Sequence, residues 1–203
     1  KFFRAYTYFR LAQEFGDVPY TDAFLQQNDV NVYKPALSRA DVINNVIKDL
    51  EEATSLMLTV DDKNVTVNKF TAYALLSRVC LYEGTNRKYN LGQPGNEYLE
   101  KAKAASLVVM NNASYKLNSD WKSLYNSLEL LDNSEVILAK RYLRGVLGNS
   151  IQAYTNTSTV QSGLSKFAAE SYTTINGLPV KQVGGNAQYL GDNTITNVFA
   201  NRD

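Results

Sequence analysis

The feature that most constrains the fold of this chain is a helical pattern that occurs twice. The motif Phe-x-Ala-Tyr at residues 3–6 recurs at residues 70–73, an offset of 67 residues. Around both copies the apolar residues recur at spacings of three and four, which is typical of amphipathic helices. The offset is twice the period of about 34 residues found in tetratricopeptide repeats. The sequence therefore predicts two helix pairs of a tetratricopeptide-like type.

Start and stop signals predict where these helices begin and end. We expect helices at about 2–15, 38–57, 69–83 and 97–110. Ser38 and Asn68 are suitable N-caps, and Gly16 and Gly84 are suitable stops. The third helix is apolar nearly all round, which predicts that it is buried in the centre of the bundle. We expect the first helix to pair with the second and the third with the fourth, antiparallel and side by side.

The second part of the chain has a different character from residue 113 onward. A short helix is predicted from residue 120 to about 131 and a strand from 135 to 143, and loops rich in Gly, Ser, Thr and Asn follow residue 145. The prediction is a mostly α fold with an irregular, loop-rich C-terminal part and a few short strands. We predict helical pairs over 1–112 and the start of a truncated, loop-rich portion over 113–203. A chain ending this way is interpreted as a fragment of a longer protein.

Composition excludes several classes of function. The 21 basic and 20 acidic residues are interspersed, so no basic stripe is available to bind nucleic acid. Histidine is absent, and the one cysteine, Cys80, lies on the apolar third helix. These features predict neither a metal nor a cofactor. No segment approaches the roughly 18 apolar residues of a membrane-spanning helix. The targeting segment of the parent protein is expected to lie outside this sequence.

Several motifs, in order along the chain, resemble those of the SusD/RagB family. The stretch from Arg4 to Phe9 and the following 15–20 resemble its "RAYYYF…FGDVP" signature. Residues 38–53 and 70–82 resemble its next two helices. The later matches are Tyr115-Lys116-Leu117, residues 134–137, Asn176-Gly177-Leu178-Pro179-Val180 and the terminal Asn201-Arg202-Asp203.

The resemblance implies a non-enzymatic, surface-exposed lipoprotein of a Bacteroidetes-type outer membrane. Family members bind oligosaccharides or, in the RagB branch, peptides. They act as a lid over a SusC-like TonB-dependent transporter, which is the expected partner. Membrane attachment is expected only through a lipid anchor outside this sequence.

Candidate ligand-binding residues are aromatic, because aromatic faces pack on the apolar faces of sugar rings. Most of the 14 tyrosines are predicted to pack in the core, as at Tyr6, Tyr8, Tyr73, Tyr82 and Tyr98. The candidates for ligand contact are Tyr89, in the loop after the third helix, Tyr154, in a later polar loop, and Trp121.

A protein-binding adaptor and a glycan hydrolase are the two alternatives to nutrient binding. A tetratricopeptide-like adaptor would bind a protein segment in its groove, but it rests on the repeat alone. A glycan hydrolase would need paired carboxylates, and no such pair stands out in the sequence.

Overall fold

The computed structural model describes residues 1–59, 65–127, 129–131, 133–143, 145–148 and 163. The helices are α1 (Phe2–Phe15), α2 (Arg39–Leu56), α3 (Lys69–Tyr89), α4 (Asn96–Met110) and α5 (Trp121–Asn126), with a 3-10 helix at Val30–Tyr33. Within these described ranges there is no strand, and only two isolated bridges, Val18 with Leu37 and Leu143 with Leu147, pair backbone segments. The prediction of a mostly α fold is confirmed.

The helices pair in the order that the repeat predicts. Lys1, at the start of α1, forms an ion pair with Glu52 near the end of α2. At the other end, Val18 pairs with Leu37, so α1 and α2 are antiparallel. Both α1 and α2 also pack on α3. The two Phe-x-Ala-Tyr helices therefore touch, and the arrangement is tetratricopeptide-like.

The caps read from the sequence are present. The Ser38 hydroxyl accepts the backbone N–H of Asp41 at 3.2 Å and donates to the Asp41 carboxylate at 2.6 Å. Asn68 accepts the backbone N–H of Thr71 at 2.9 Å and completes a capping box with it. Gly16, with φ of 76°, ends α1 in a conformation that favours glycine. Local signals therefore determine these three helix ends.

The predicted end of the third helix at Gly84 is wrong, because α3 continues to Tyr89. Gly84 is fully helical and lies against the start of α4. A Cβ at this position would come within 2.8 Å of the Leu99 side chain and 2.9 Å of the Gly95 carbonyl oxygen. The glycine thus serves close helix packing, which only the tertiary structure reveals.

One face of α3 packs against the other helices and is buried, but the helix is not buried on all sides as predicted. Leu75, Leu76 and Val79 belong to the core, whereas Leu81 is 53% exposed. On α1, Tyr6 is likewise exposed, contrary to its predicted place in the core, and so is Phe15. The remaining predicted core tyrosines pack against or within the core: Tyr8, Tyr73, Tyr82 and Tyr98. Each of these helices therefore keeps one face in water.

The part after α4 differs from the prediction in two ways. The short helix ends at Asn126 rather than near residue 131. No strand forms at 135–143, because a strand needs a paired backbone along its length and here only Leu143 is paired, in an isolated bridge with Leu147. The chain divides into two compact units, Lys1–Arg141 and Tyr142–Asp203. The predicted boundary after residue 112 stays a prediction.

A nearly buried ion pair fixes α1 to α2. Arg4 donates to both Asp49 carboxylate oxygens, at 2.6 Å and 2.5 Å, and the Asp49 side chain is 5% exposed. Burial alone would raise the pKa of Asp49, but the Arg4 hydrogen bonds and charge outweigh it and lower that pKa.

We expect this pair to make stability depend on acid pH. Because the pKa of Asp49 is lowered on folding, its contribution is fully present above the unfolded value of about 3.9 and is lost as pH falls through the folded value. The difference in unfolding free energy between wild type and Asp49→Asn should therefore be constant from pH 5 to 7 and shrink below pH 4. Urea melts across this range measure it. A difference that stays constant down to pH 2.5 would contradict the assignment.

Candidate functional site

An exposed aromatic pair lies on α5. Trp121 and Tyr125 are 71% and 68% exposed, although their rings contact each other, with centroids 4.7 Å apart and planes at 51°. One helical turn separates them, which places both rings on the same side of the helix. The Asp120 carboxylate caps the helix by accepting the Lys122 backbone N–H at 3.0 Å. The result is an apolar surface held by a capped turn and bordered by polar groups.

Tyr89 lies at the last turn of α3 rather than in the predicted loop, because that helix is longer than predicted. It lines a shallow cleft of about 270 Å³ together with Tyr82, Thr85, Asn86 and Asn90. The Asn90 amide N–H donates to the Asn86 amide oxygen at 2.9 Å. In this described part of the chain, the Asn86 amide nitrogen and the Asn90 amide oxygen have no protein partner. An aromatic ring and two amide groups thus meet in one cleft.

Of the three candidate residues the structure describes two, Trp121 and Tyr89, and these two have different neighbours. Trp121 contacts Tyr125, and the Tyr89 ring lies under the Lys88 ammonium at 5.5 Å. No contact joins Trp121 to Tyr89 among the described residues. Tyr154 lies outside the described residues. The assignment of these side chains to ligand contact stays a prediction.

A larger cleft, which the sequence does not predict, opens between α1 and α3. It has a volume of about 520 Å³ and is lined by Phe2, Phe3, Tyr6, Thr71, Ala74, Leu75, Arg78 and residues 135–138. Tyr6 is predicted to lie in the core, but in the structure it lines this cleft. The i and i+4 spacing of Trp121 and Tyr125 was a usable signal for the aromatic pair. No local signal places 135–138 beside α1.

The side chains that could react with a ligand or hold a metal ion do not form a reactive site in the described region. Burial raises the pKa of the Cys80 thiol to about 11, so the sulfur is protonated at neutral pH and is a poor nucleophile. Within the described ranges, no three His, Cys, Asp or Glu residues gather in a way that could hold a metal ion. None of the helices described has the length and apolar character needed to cross a membrane.

Comparison with protein families and relatives gives one consistent result. The family model described as "Starch-binding associating with outer membrane" matches residues 1–81. SusD-like protein P38 of Formosa agariphila is 31% identical over 149 residues, which cover 68% of this chain and 27% of that protein. SusD-like protein P2 of the same organism is 25% identical over 145 residues, covering 70% of this chain and 26% of that protein. The chain thus spans about a quarter of the length of these curated relatives.

Solved structures share the fold. A SusD-like carbohydrate-binding protein from Bacteroides fragilis superimposes with a TM-score of 0.69 at 20% identity, over 100% of this chain and 37% of that one. A SusD superfamily protein from the same organism gives a TM-score of 0.61 at 22% identity, over 88% and 35%. The helical arrangement, the family model and the relatives agree, and this chain belongs to the SusD/RagB family.

Proposed function

We propose that this chain is part of a cell-surface nutrient-binding protein that captures oligosaccharides and hands them to a TonB-dependent outer-membrane transporter. The observation that carries the proposal is the exposed Trp121–Tyr125 pair in a chain of SusD-like fold. A soluble fold ordinarily buries a large part of its aromatic surface, so a tryptophan and a tyrosine left together in water are available to a ligand.

The chemistry of the pair suits a sugar ring. The apolar face of a pyranose can pack on the indole ring, while its hydroxyl groups hydrogen-bond to amide, hydroxyl and carboxylate groups nearby. The two rings lie next to each other, with centroids 4.7 Å apart and planes tilted by 51°. An oligosaccharide would therefore gain contacts with both rings, and a monosaccharide with only one.

Tyr89 is a second proposed contact point. Its cleft offers an exposed ring with the Asn86 and Asn90 amide groups beside it, which is again a set of groups that bind sugars. Tyr154 completes the proposed set on the sequence prediction alone. Two separate aromatic surfaces would let one long glycan, or two short ones, bind to the same protein.

The family also supports the cellular setting that we propose. We place the whole protein on the outer membrane as a surface-exposed lipoprotein, with a SusC-like transporter as its partner. The protein would bind its ligand without altering it, because Cys80 is buried in the core and no histidine is present. Peptides are the alternative ligand within the same function.

Replacing Trp121 by alanine in the full-length protein is expected to weaken oligosaccharide binding about tenfold. Loss of one aromatic stacking contact is worth about 0.5–1.5 kcal/mol beyond area burial, and 1.4 kcal/mol is a factor of ten. Titration calorimetry against a panel that includes malto-oligosaccharides measures the change, and mass spectrometry of the same mixtures tests for turnover.

Tyr33→Ala is the matched control, because Tyr33 is 86% exposed but belongs to the 3-10 helix and not to α5. We expect this variant to bind glycans as wild type does. Equal affinities of wild type and Trp121→Ala for every bound glycan would remove the aromatic pair from the site. Cleavage of a glycan that stops on changing one carboxylate would contradict the non-enzymatic function.

A further inference from the structure

A lysine without an ion-pair partner lies next to Tyr89, one of the proposed glycan contacts. The Lys88 ammonium is 5.5 Å from the centre of the Tyr89 ring, and both side chains are exposed. Tyr89 also lines the cleft that carries the Asn86 and Asn90 amide groups. Within the described ranges, the Lys88 ammonium forms no ion pair with a carboxylate. A sugar that packs on the Tyr89 ring would therefore meet both the amide groups and an unpaired positive charge.

The acidic residues on either side of this segment act on Arg87 and leave Lys88 unpaired. The Glu83 carboxylate is 0% exposed and binds two arginines, one of which is Arg87. Glu83, by a hydrogen bond and by its charge, and Glu97, by its charge, raise the pKa of Arg87. Residues 84–96 contain no acidic side chain. The charge of Lys88 is therefore available to attract an anionic group of a ligand.

The end of α3 is completed by backbone groups and does not require the Lys88 ammonium. A basic residue in the last turn of a helix often pairs with carbonyl groups that lack a partner there. In α3 the Asn86 carbonyl accepts the backbone N–H of Asn90 at 3.0 Å. The Arg87 carbonyl accepts the backbone N–H of Gln93 at 2.9 Å. The loop after the helix thus does the work of a basic cap, and Lys88 can bind a ligand.

The amide groups of the cleft add hydrogen-bond donors to this charge. The Asn90 amide N–H donates to the Asn86 amide oxygen at 2.9 Å, so the Asn86 amide nitrogen keeps both of its hydrogens for a ligand. Ionised carboxylate and sulfate groups only accept hydrogen bonds, and bonds between charged partners are the stronger ones. An ammonium on one side of the Tyr89 ring and an amide donor in the cleft therefore favour an anionic sugar over a neutral one.

We propose that the Tyr89 cleft selects oligosaccharides that carry a carboxylate or sulfate group, and that Lys88 sets this preference. The inference rests on the proposed glycan binding and names the class of glycan that this cleft takes. The sugar ring packs on Tyr89, its hydroxyl groups bond to the Asn86 and Asn90 amides, and its anionic group pairs with Lys88. The long, flexible stem of a lysine lets the ammonium follow an anionic group at different positions on the ring.

The test measures the affinity of the full-length protein for two pairs of glycans whose members differ only in charge. One pair is an oligogalacturonide and its methyl ester, and the other is a carrageenan oligosaccharide and its desulfated form. At low salt, wild type should bind the charged member of at least one pair about fivefold more tightly than the neutral member. The pair that shows this preference identifies the anionic group as a carboxylate or a sulfate. Added salt should reduce the preference, because exposed charges are screened.

Three variants separate the charge from the ring. Lys88→Gln should remove the preference and leave the affinity for the neutral member unchanged. Lys88→Arg should keep the preference, because the positive charge remains. Tyr89→Ala should weaken the charged and the neutral member alike, because it removes the surface on which the sugar packs. Titration calorimetry measures these affinities, and circular dichroism checks that each variant is folded.

Lys122→Gln is the matched control, because Lys122 is an exposed lysine next to Trp121, on the other proposed glycan surface. There the acidic Asp120 precedes the aromatic residue, so the local charges balance, and the variant should keep the wild-type preference. Equal affinity of wild type for both members of each pair would overturn the inference while glycan binding stands. A preference that survives Lys88→Gln, or that disappears with Lys122→Gln, would overturn it as well. Absence of binding to every glycan, charged or neutral, would contradict the inference and the proposed function together.

Discussion

Leu76→Ala is expected to lower the free energy of unfolding by about 2–5 kcal/mol, the usual cost of a large-to-small change in a core. Leu76 is 5% exposed and lies on α3, the helix that packs on α1, α2 and α4. Removing three carbons at this position leaves a cavity in the core. Neighbouring helices held on several sides cannot easily close it, so the cost should lie in the upper part of the range.

Leu81→Ala is the matched control for this prediction. It removes the same atoms from the same helix, but the Leu81 side chain is 53% exposed. We expect its effect to be within about 0.5 kcal/mol, as is usual for surface substitutions. Urea melts of the three proteins decide the matter. Equal effects of the two substitutions would mean that α3 is not the central helix.

Glu83→Gln should destabilise the chain by about 3 kcal/mol, although it preserves the size of the side chain. The Glu83 carboxylate is 0% exposed and accepts hydrogen bonds from two arginines, Arg39 at 2.7 Å and Arg87 at 2.6 Å. The Arg87 guanidinium also lies 4.6 Å from the centre of the Tyr98 ring on α4. One carboxylate thus joins α2 to α3 and orients a contact with α4.

The physical reason for the loss is charge. The amide of glutamine carries no charge and cannot neutralise two guanidinium groups. Its NH2 group would also face the N–H donors of the arginines where an acceptor is needed. The arginines are 19% exposed and can turn partly to water, which keeps the expected cost near the lower end for a broken buried pair.

The control for this charge is Glu100→Gln on the exposed face of α4, where the carboxylate lies 4.0 Å from Lys103. Exposed pairs of this kind contribute about 0–1 kcal/mol. A Glu83→Gln protein as stable as the Glu100→Gln protein would show that the two arginines hold the helices without the carboxylate. Thermal unfolding followed by circular dichroism distinguishes the two outcomes.

The sequence predicts individual residues of the candidate site but not their exposure. The aromatic character of Trp121 and Tyr89 was evident, but whether a ring is exposed depends on which face of its helix meets another helix. Tyr6 and Tyr98 show the difficulty, since both lie on apolar stripes. One ends 49% exposed beside the cleft and the other 6% exposed under Arg87. Residue type and helical spacing are the same for Tyr6 and Tyr98, so they do not predict which of the two side chains is exposed.

The sequence by itself determined the helices, their order and most of their ends. Periodicity at spacings of three and four and the caps at Ser38 and Asn68 act within a few residues, so they can be read locally. Even the pairing of helices followed from the 67-residue repeat, because helices that are neighbours in sequence usually bury their apolar faces against each other.

Only the tertiary structure decided what lies beyond that local range. α3 runs past Gly84 because α4 approaches it there, and the added turn carries Arg87 to the Glu83 carboxylate. The strand expected at 135–143 does not form, because pairing needs a second backbone along the segment, which the local sequence cannot supply. Both features depend on long-range contacts between residues that are distant in the sequence.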